Sequence, residues 1–75
     1  MTKDQALKMI EQYADEFALH GCRDSTIVEL PLRFPEDGSV NKAMRWLGFI
    51  QGCAFALELF TLAELKEHSK RGSVR

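Results

Sequence analysis

The sequence has no excess of positive charge, no closely spaced cysteines, almost no proline and no uninterrupted apolar run long enough for a membrane. Ten lysines and arginines stand against eleven aspartates and glutamates, giving a formal net charge of −1. Binding along a nucleic-acid backbone needs clustered basic charge to displace counterions, so a nucleic-acid partner is disfavoured. The two cysteines, Cys22 and Cys53, are far apart and form no Cys-x-x-Cys pair, the spacing that marks structural zinc sites. His20 and His68 do not repair that spacing, so no metal is expected, and both thiols read as small, reduced, buried residues. The most apolar stretch, Trp46 to Phe60, is broken by Gln51 and Glu58, and falls short of the ~18 apolar residues of a span. The polar start, Met1-Thr2-Lys3-Asp4-Gln5, lacks the apolar core of a signal peptide. No membrane association is expected, and the location expected is the cytoplasm. No glycine-rich phosphate loop is present. The carboxylates Asp15, Glu16, Glu58, Glu64 and Glu67 are explained by solvation. No catalytic residue and no cofactor are assigned, and the expectation is that the protein is not an enzyme.

What is present is helix-forming pattern. The 75 residues allow one domain, 1–75, with 45% hydrophobic and 28% charged residues, an ordinary globular balance. A chain this short buries only about 60% of its unfolded surface, so a partner chain would add materially to its core. Thr2 and Gln5 have capping-box spacing. The apolar series Ala6, Leu7, Ile10, Tyr13, Ala14, Phe17, Ala18 then predicts a helix over about 3–20, stopped by Gly21. Val28, Leu30, Leu32 and Phe34 alternate with Glu29, Pro31 and Arg33, which predicts extended chain over 26–34. Pro31 limits any strand here to an edge. Because no second strand is apparent, a strap lying over the helices is favoured over a strand that pairs with its copy in another subunit. Pro35-Glu36-Asp37-Gly38-Ser39 reads as a turn and cap, leading into a helix over about 40–59. Thr61 and Glu64 repeat the capping box and start a helix over about 62–71. There Lys66, His68, Lys70 and Arg71 suit the negative end of the helix dipole and Gly72 ends it. Ser73 to Arg75 should fray. The expected fold is all-α, a small three-helix domain with an extended strap or edge strand between the first and central helices.

The central helix has two apolar sides. At about 100° per residue, Ala43, Trp46, Leu47, Ile50, Cys53, Ala54 and Leu57 gather on one. Met44, Phe49, Phe55, Ala56 and Leu59 take the other, with Gly48 and Gly52 between them. A helix apolar on both sides must be covered on both. Gly48 and Gly52 each cost about 1 kcal/mol against alanine in a helix, and on one stripe they permit close approach of another backbone. Met44, Gly48, Phe49, Gly52, Phe55 and Leu59 are therefore the candidate interface of a homo-oligomer, a dimer or higher. The first helix or the strap could instead fill part of this groove.

One candidate ligand site lies at the start of the same helix. Free N–H groups at a helix N-terminus attract anions, and Arg33, Ser39, Lys42 and Arg45 could hold a phosphate or nucleotide there, with Trp46 offering a ring to stack on. The plainer reading, favoured because of the acidic neighbours, pairs Glu36 and Asp37 with Lys42 and Arg45 and makes Trp46 core.

The segment from Pro35-Glu36-Asp37-Gly38-Ser39 through Lys42-Ala43-Met44-Arg45-Trp46-Leu47-Gly48-Phe49-Ile50-Gln51-Gly52, with Phe60-Thr61-Leu62-Ala63-Glu64-Leu65-Lys66-Glu67-His68, resembles small uncharacterised accessory proteins of tailed phages and prophages. The resemblance covers roughly the C-terminal half and supplies no functional residues. It implies an accessory protein of the bacterial cytoplasm that binds a host or phage protein, with counter-defence among the roles. The alternative it implies is a sponge for a phosphorylated signalling nucleotide.

Overall fold

Side chains that the sequence displays set the helix starts. Thr2 Oγ1 accepts from the N–H of Gln5 at 3.1 Å while Gln5 Oε1 accepts from the N–H of Thr2 at 2.9 Å. Thr61 and Glu64 repeat the exchange at 3.2 and 2.9 Å. Ser39 Oγ accepts from the N–H of Lys42 at 3.1 Å. Each such cap is worth about 1 kcal/mol. The computed structural model describes residues 1–22 and 25–74, with the backbone alone for Ser25. It contains α1 (Lys3–Leu19), α2 (Ser25–Val28), α3 (Leu30–Arg33), α4 (Val40–Ala56) and α5 (Leu62–Arg71). The fold is all-α, and no strand occurs among the described residues.

The expected strap over 26–34 is overturned: α2 and α3 are two single helical turns, giving five helices among the described residues rather than three. The N–H groups of Leu32 and Arg33 donate to the carbonyl of Glu29 at 2.9 and 3.2 Å. Pro31 is tolerated because it sits in the first turn of α3, where its missing N–H has no helical partner. Glu29 and Arg33 close a salt bridge of 3.2 Å one turn apart. The buried side is Ile27, Leu30 and Phe34, at steps of three and four. Leu32, the member that the two-residue alternation needed, is 86% exposed.

The long helices share one way of ending. Cys22 N–H donates to the Phe17 carbonyl at 2.9 Å, Leu59 N–H to Ala54 at 2.9 Å, and Ser73 N–H to His68 at 3.1 Å. Each closure puts the preceding residue in the left-handed region: Gly21 at φ 79°, Glu58 at 60° and Gly72 at 74°. Glycine adopts that conformation freely, whereas a residue with a Cβ loses about 1–2 kcal/mol there. Glu58 therefore ends α4 three residues before the expected Leu59, at a position without glycine. The expected fraying past Gly72 is also corrected. Val74 is buried, its N–H donates to Gln12 Oε1 at 2.8 Å, and Ser73 Oγ donates to the same oxygen at 3.3 Å. Arg75 lies outside the described residues.

The core is the seam where α1 crosses α4. Met9, Ile10, Tyr13, Phe17, Ala43 and Ile50 have no exposed surface, and Leu47 and Ala54 are nearly as closed. Met9 joins the α1 stripe that the sequence pattern left it out of, while Ala18 falls outside it. α2 and α3 cap α1 on one flank, and α5 leans on α4. The thin dimension of the molecule is 17 Å, enough for two layers of helices about 10 Å across. No third layer covers the far side of α4. No helix among the described residues is long and apolar enough to cross a membrane.

Candidate functional site

The uncovered side of α4 follows from that two-layer build. Ala43, Leu47, Ile50 and Ala54 point into the seam, while Met44, Gly48, Phe49, Gly52, Phe55 and Ala56 face outward. Phe49 is 58% exposed, Phe55 52% and Met44 41%. A Cβ built on Gly48 or Gly52 meets nothing within 4 Å, so the stripe between the aromatic rings is bare backbone. The apolar surface runs on to α5, where Leu62 is 53% exposed. Phe55 stands between two clefts, one lined by Gly52, Leu62 and Leu65 and the other by Ala56, Glu58 and Phe60. Leu59 sits apart from this face, half-buried against the core. Two residues expected in the core lie at its margin: Trp46 and Cys53 are half-buried. Leu57, beyond the end of α4, is 56% exposed.

The basic residues at the start of α4 are otherwise engaged or apart. Arg33 is held by Glu29. The Ser39 hydroxyl already takes the N–H of Lys42 that an anion would use. Arg45 is exposed on the second turn. The expected pairing of Glu36 and Asp37 with Lys42 and Arg45 does not form, since no such ion pair occurs among the described residues. Glu36 instead receives Lys3 Nζ on its carbonyl at 3.2 Å. Trp46 meets Phe34 edge to face at 5.2 Å, and the Lys3 ammonium sits 5.6 Å from the centre of the Phe34 ring. Gly38 is required beneath that ring: a Cβ there would lie 2.5 Å from it.

A polar network that the sequence pattern did not disclose joins three helices. Gln51 Nε2 donates to the Tyr13 hydroxyl at 3.3 Å and to Ser69 Oγ at 3.0 Å. The Tyr13 hydroxyl and Nδ1 of His68 share a hydrogen bond of 2.8 Å. The Phe60 ring stands edge-on to both, 5.8 Å from Tyr13 and 4.9 Å from His68. Burial pushes the Tyr13 hydroxyl above its usual pKa, against the Gln51 hydrogen bond. Burial, and then the nearby Arg71, hold the His68 imidazole below its ordinary value, against Glu64, Glu67 and Glu16. Both shifts favour the neutral forms. Tyr13 has no exposed surface and His68 only 5%, so no substrate reaches this pair. Its one sequence signal is spacing: His68 follows Leu65 by three on the buried side of α5, a poor place for a solvated cation.

Cys22 and Cys53 form no disulfide and line one apolar cleft with Phe17, His20 and Ile27. The His20 ring is turned to the Glu16 carbonyl, Nδ1 donating at 2.8 Å. No group of three His, Cys, Asp or Glu side chains is placed to hold a metal ion among the described residues. Compared with protein-family models, with curated proteins and with solved structures, the chain has no match.

Proposed function

We propose that this chain is a non-enzymatic binding protein that works as a small helical homo-oligomer, dimer or higher, and presents that assembly to a second protein. The observation that carries the reading is the outer face of α4, where two half-exposed phenylalanines and a methionine flank two glycines with open space above them. A large side chain left in water forfeits about 1.5–3 kcal/mol of burial, and contiguous apolar patches of a few hundred Å² mark interaction sites. The resemblance of the segment from Pro35 to Gly52 to phage accessory proteins supports a host or phage protein as the target, met in the bacterial cytoplasm, with counter-defence as the setting. A nucleotide held at Arg33, Ser39, Lys42 and Arg45 has no comparable support, because Arg33 is paired with Glu29 and Ser39 caps its own helix. Size-exclusion chromatography with light scattering at micromolar concentration tests the proposal. The expected mass is that of two or more chains, and a clean monomer overturns it.

A further inference from the structure

We infer that the outer face of α4 is covered by a second copy of this chain, with the two α4 helices antiparallel and crossing between Gln51 and Gly52. The inference rests on the binding reading above and adds the orientation and register of the pair.

The first argument is area. Phe49 and Phe55, each about half exposed, contribute on the order of 100 Å² apiece. With Met44, Leu62 and the open glycine backbone, one copy offers on the order of 500 Å², so that two copies reach the ~1,000 Å² that a specific interface needs.

The second argument is charge. Along α4 itself the face is uncharged over the last two turns and carries one charge toward each end, Arg45 on the second turn and Glu58 just past the last, with Lys66 of α5 beside the Gly52 cleft. Arg45 and Glu58 are exposed, and among the described residues neither has an ion-pair partner. Parallel copies would set Arg45 against Arg45 and Glu58 against Glu58. Antiparallel copies set Arg45 of each chain near Glu58 of the other, twice over, as a two-fold axis demands.

The third argument is shape. The point midway between Arg45 and Glu58 falls between Gln51 and Gly52, and the same point is midway between Gly48 and Phe55. The register that matches the charges therefore also lays Phe55 over the bare backbone at Gly48 of the second copy. Glu58 fits this account from another side. It holds a left-handed conformation, φ 60°, that glycine takes at the ends of α1 and α5. A carboxylate at that end of the face is kept against its backbone preference.

The test is sedimentation equilibrium on the full chain at low salt, using Arg45→Glu, Glu58→Arg and an equimolar mixture of the two. In either variant alone, like charges meet at both contacts of the pair, and association should weaken about tenfold. In the mixture both contacts become attractive again, and association should return to within about threefold of the wild type, with the recovery reduced at high salt. Circular dichroism checks that both variants fold. If Glu58→Arg does not, Arg45→Glu mixed with Glu58→Lys carries the same prediction. An oligomer indifferent to both single reversals overturns the antiparallel register and leaves the oligomer standing, as does one weakened by both with no recovery on mixing. A monomeric wild type overturns both.

Discussion

Phe49 and Ile50 are neighbours in the chain, similar in chemistry, and opposite in fate. Ile50 has no exposed surface, whereas Phe49 is 58% exposed. The inner face of α4 is closed by α1, whereas the outer face is left about half open. Burial on the inner side is therefore a matter of folding, and burial on the outer side a matter of association. Truncating one residue from each face separates the two. Ile50→Ala should lower the stability of the chain by about 2–5 kcal/mol, from lost burial and the cavity left behind. In a domain of this size, that is a large part of the total. Phe49→Ala should change the stability of the dissociated chain by no more than about 0.5 kcal/mol, while weakening association. Urea titrations at concentrations below and above dissociation read both effects. Equal losses for the two variants in the dilute chain would erase the distinction between the faces.

The same contrast explains what the sequence made legible. The capping boxes at Thr2/Gln5 and Thr61/Glu64 are local, each complete within four residues, and they form as read. The α1 stripe follows a single period, so its steps of three and four locate the core. The segment 26–34 was ambiguous because Val28, Leu30, Leu32 and Phe34 fit a period of two while Ile27, Leu30 and Phe34 fit a helix. The Glu29–Arg33 pair and the absence of a strand partner decide for the helical turns. The end of α4 was not legible, because a glutamate occupies the left-handed position where a glycine would have announced it. The Tyr13–Gln51–His68 network joins residues from three helices, and no local pattern encodes such a contact. Of the candidate sites, the outer face of α4 could be read from the wheel, apart from Leu59. The basic cluster could not be resolved, since its competing pairings depend on where Arg33 and Lys3 reach.

A smaller effect comes from the one place where the inner side of α4 is polar. Tyr13→Phe removes the hydroxyl that bonds Nδ1 of His68 and accepts from Gln51, and should cost about 1–3 kcal/mol at pH 7. The network also makes stability depend on pH. Burial holds the folded-state pKa of His68 below the ordinary 6.5, so between that depressed value and 6.5 the unfolded chain binds more protons than the folded one. Stability then rises with pH through this window: it is full above about 6.5 and is lost as the pH falls toward the folded pKa. Protonating the ring places a charge in the buried contact between α5 and α1, which weakens that contact. Thermal melts should show a midpoint flat above neutrality and falling below it, and His68→Phe should remove that step. Glu64, whose carboxylate is stabilised in the folded state by the Thr61 N–H, acts in a separate window below about 4.5 and leaves the first untouched. A midpoint that is level from pH 7 to 5 would show that His68 is not buried as a neutral ring.

The smallest expected change is the sharpest probe of the outer face, because its two readouts move in opposite directions. A methyl group at Gly48 meets nothing within 4 Å in its own chain, and alanine is about 1 kcal/mol better than glycine inside a helix. Gly48→Ala should therefore raise the melting temperature of the dissociated chain by a few degrees. The same methyl group stands where Phe55 of a second copy is inferred to rest, and should weaken association. Gly21→Ala supplies the contrast: its φ of 79° strains any side chain, so it should lower stability, and it sits at the end of α1, outside the stripe from Met44 to Phe55. If Gly48→Ala stabilises the chain and leaves association unchanged, then bare backbone at that position serves no contact, and the partner must sit on the phenylalanines alone.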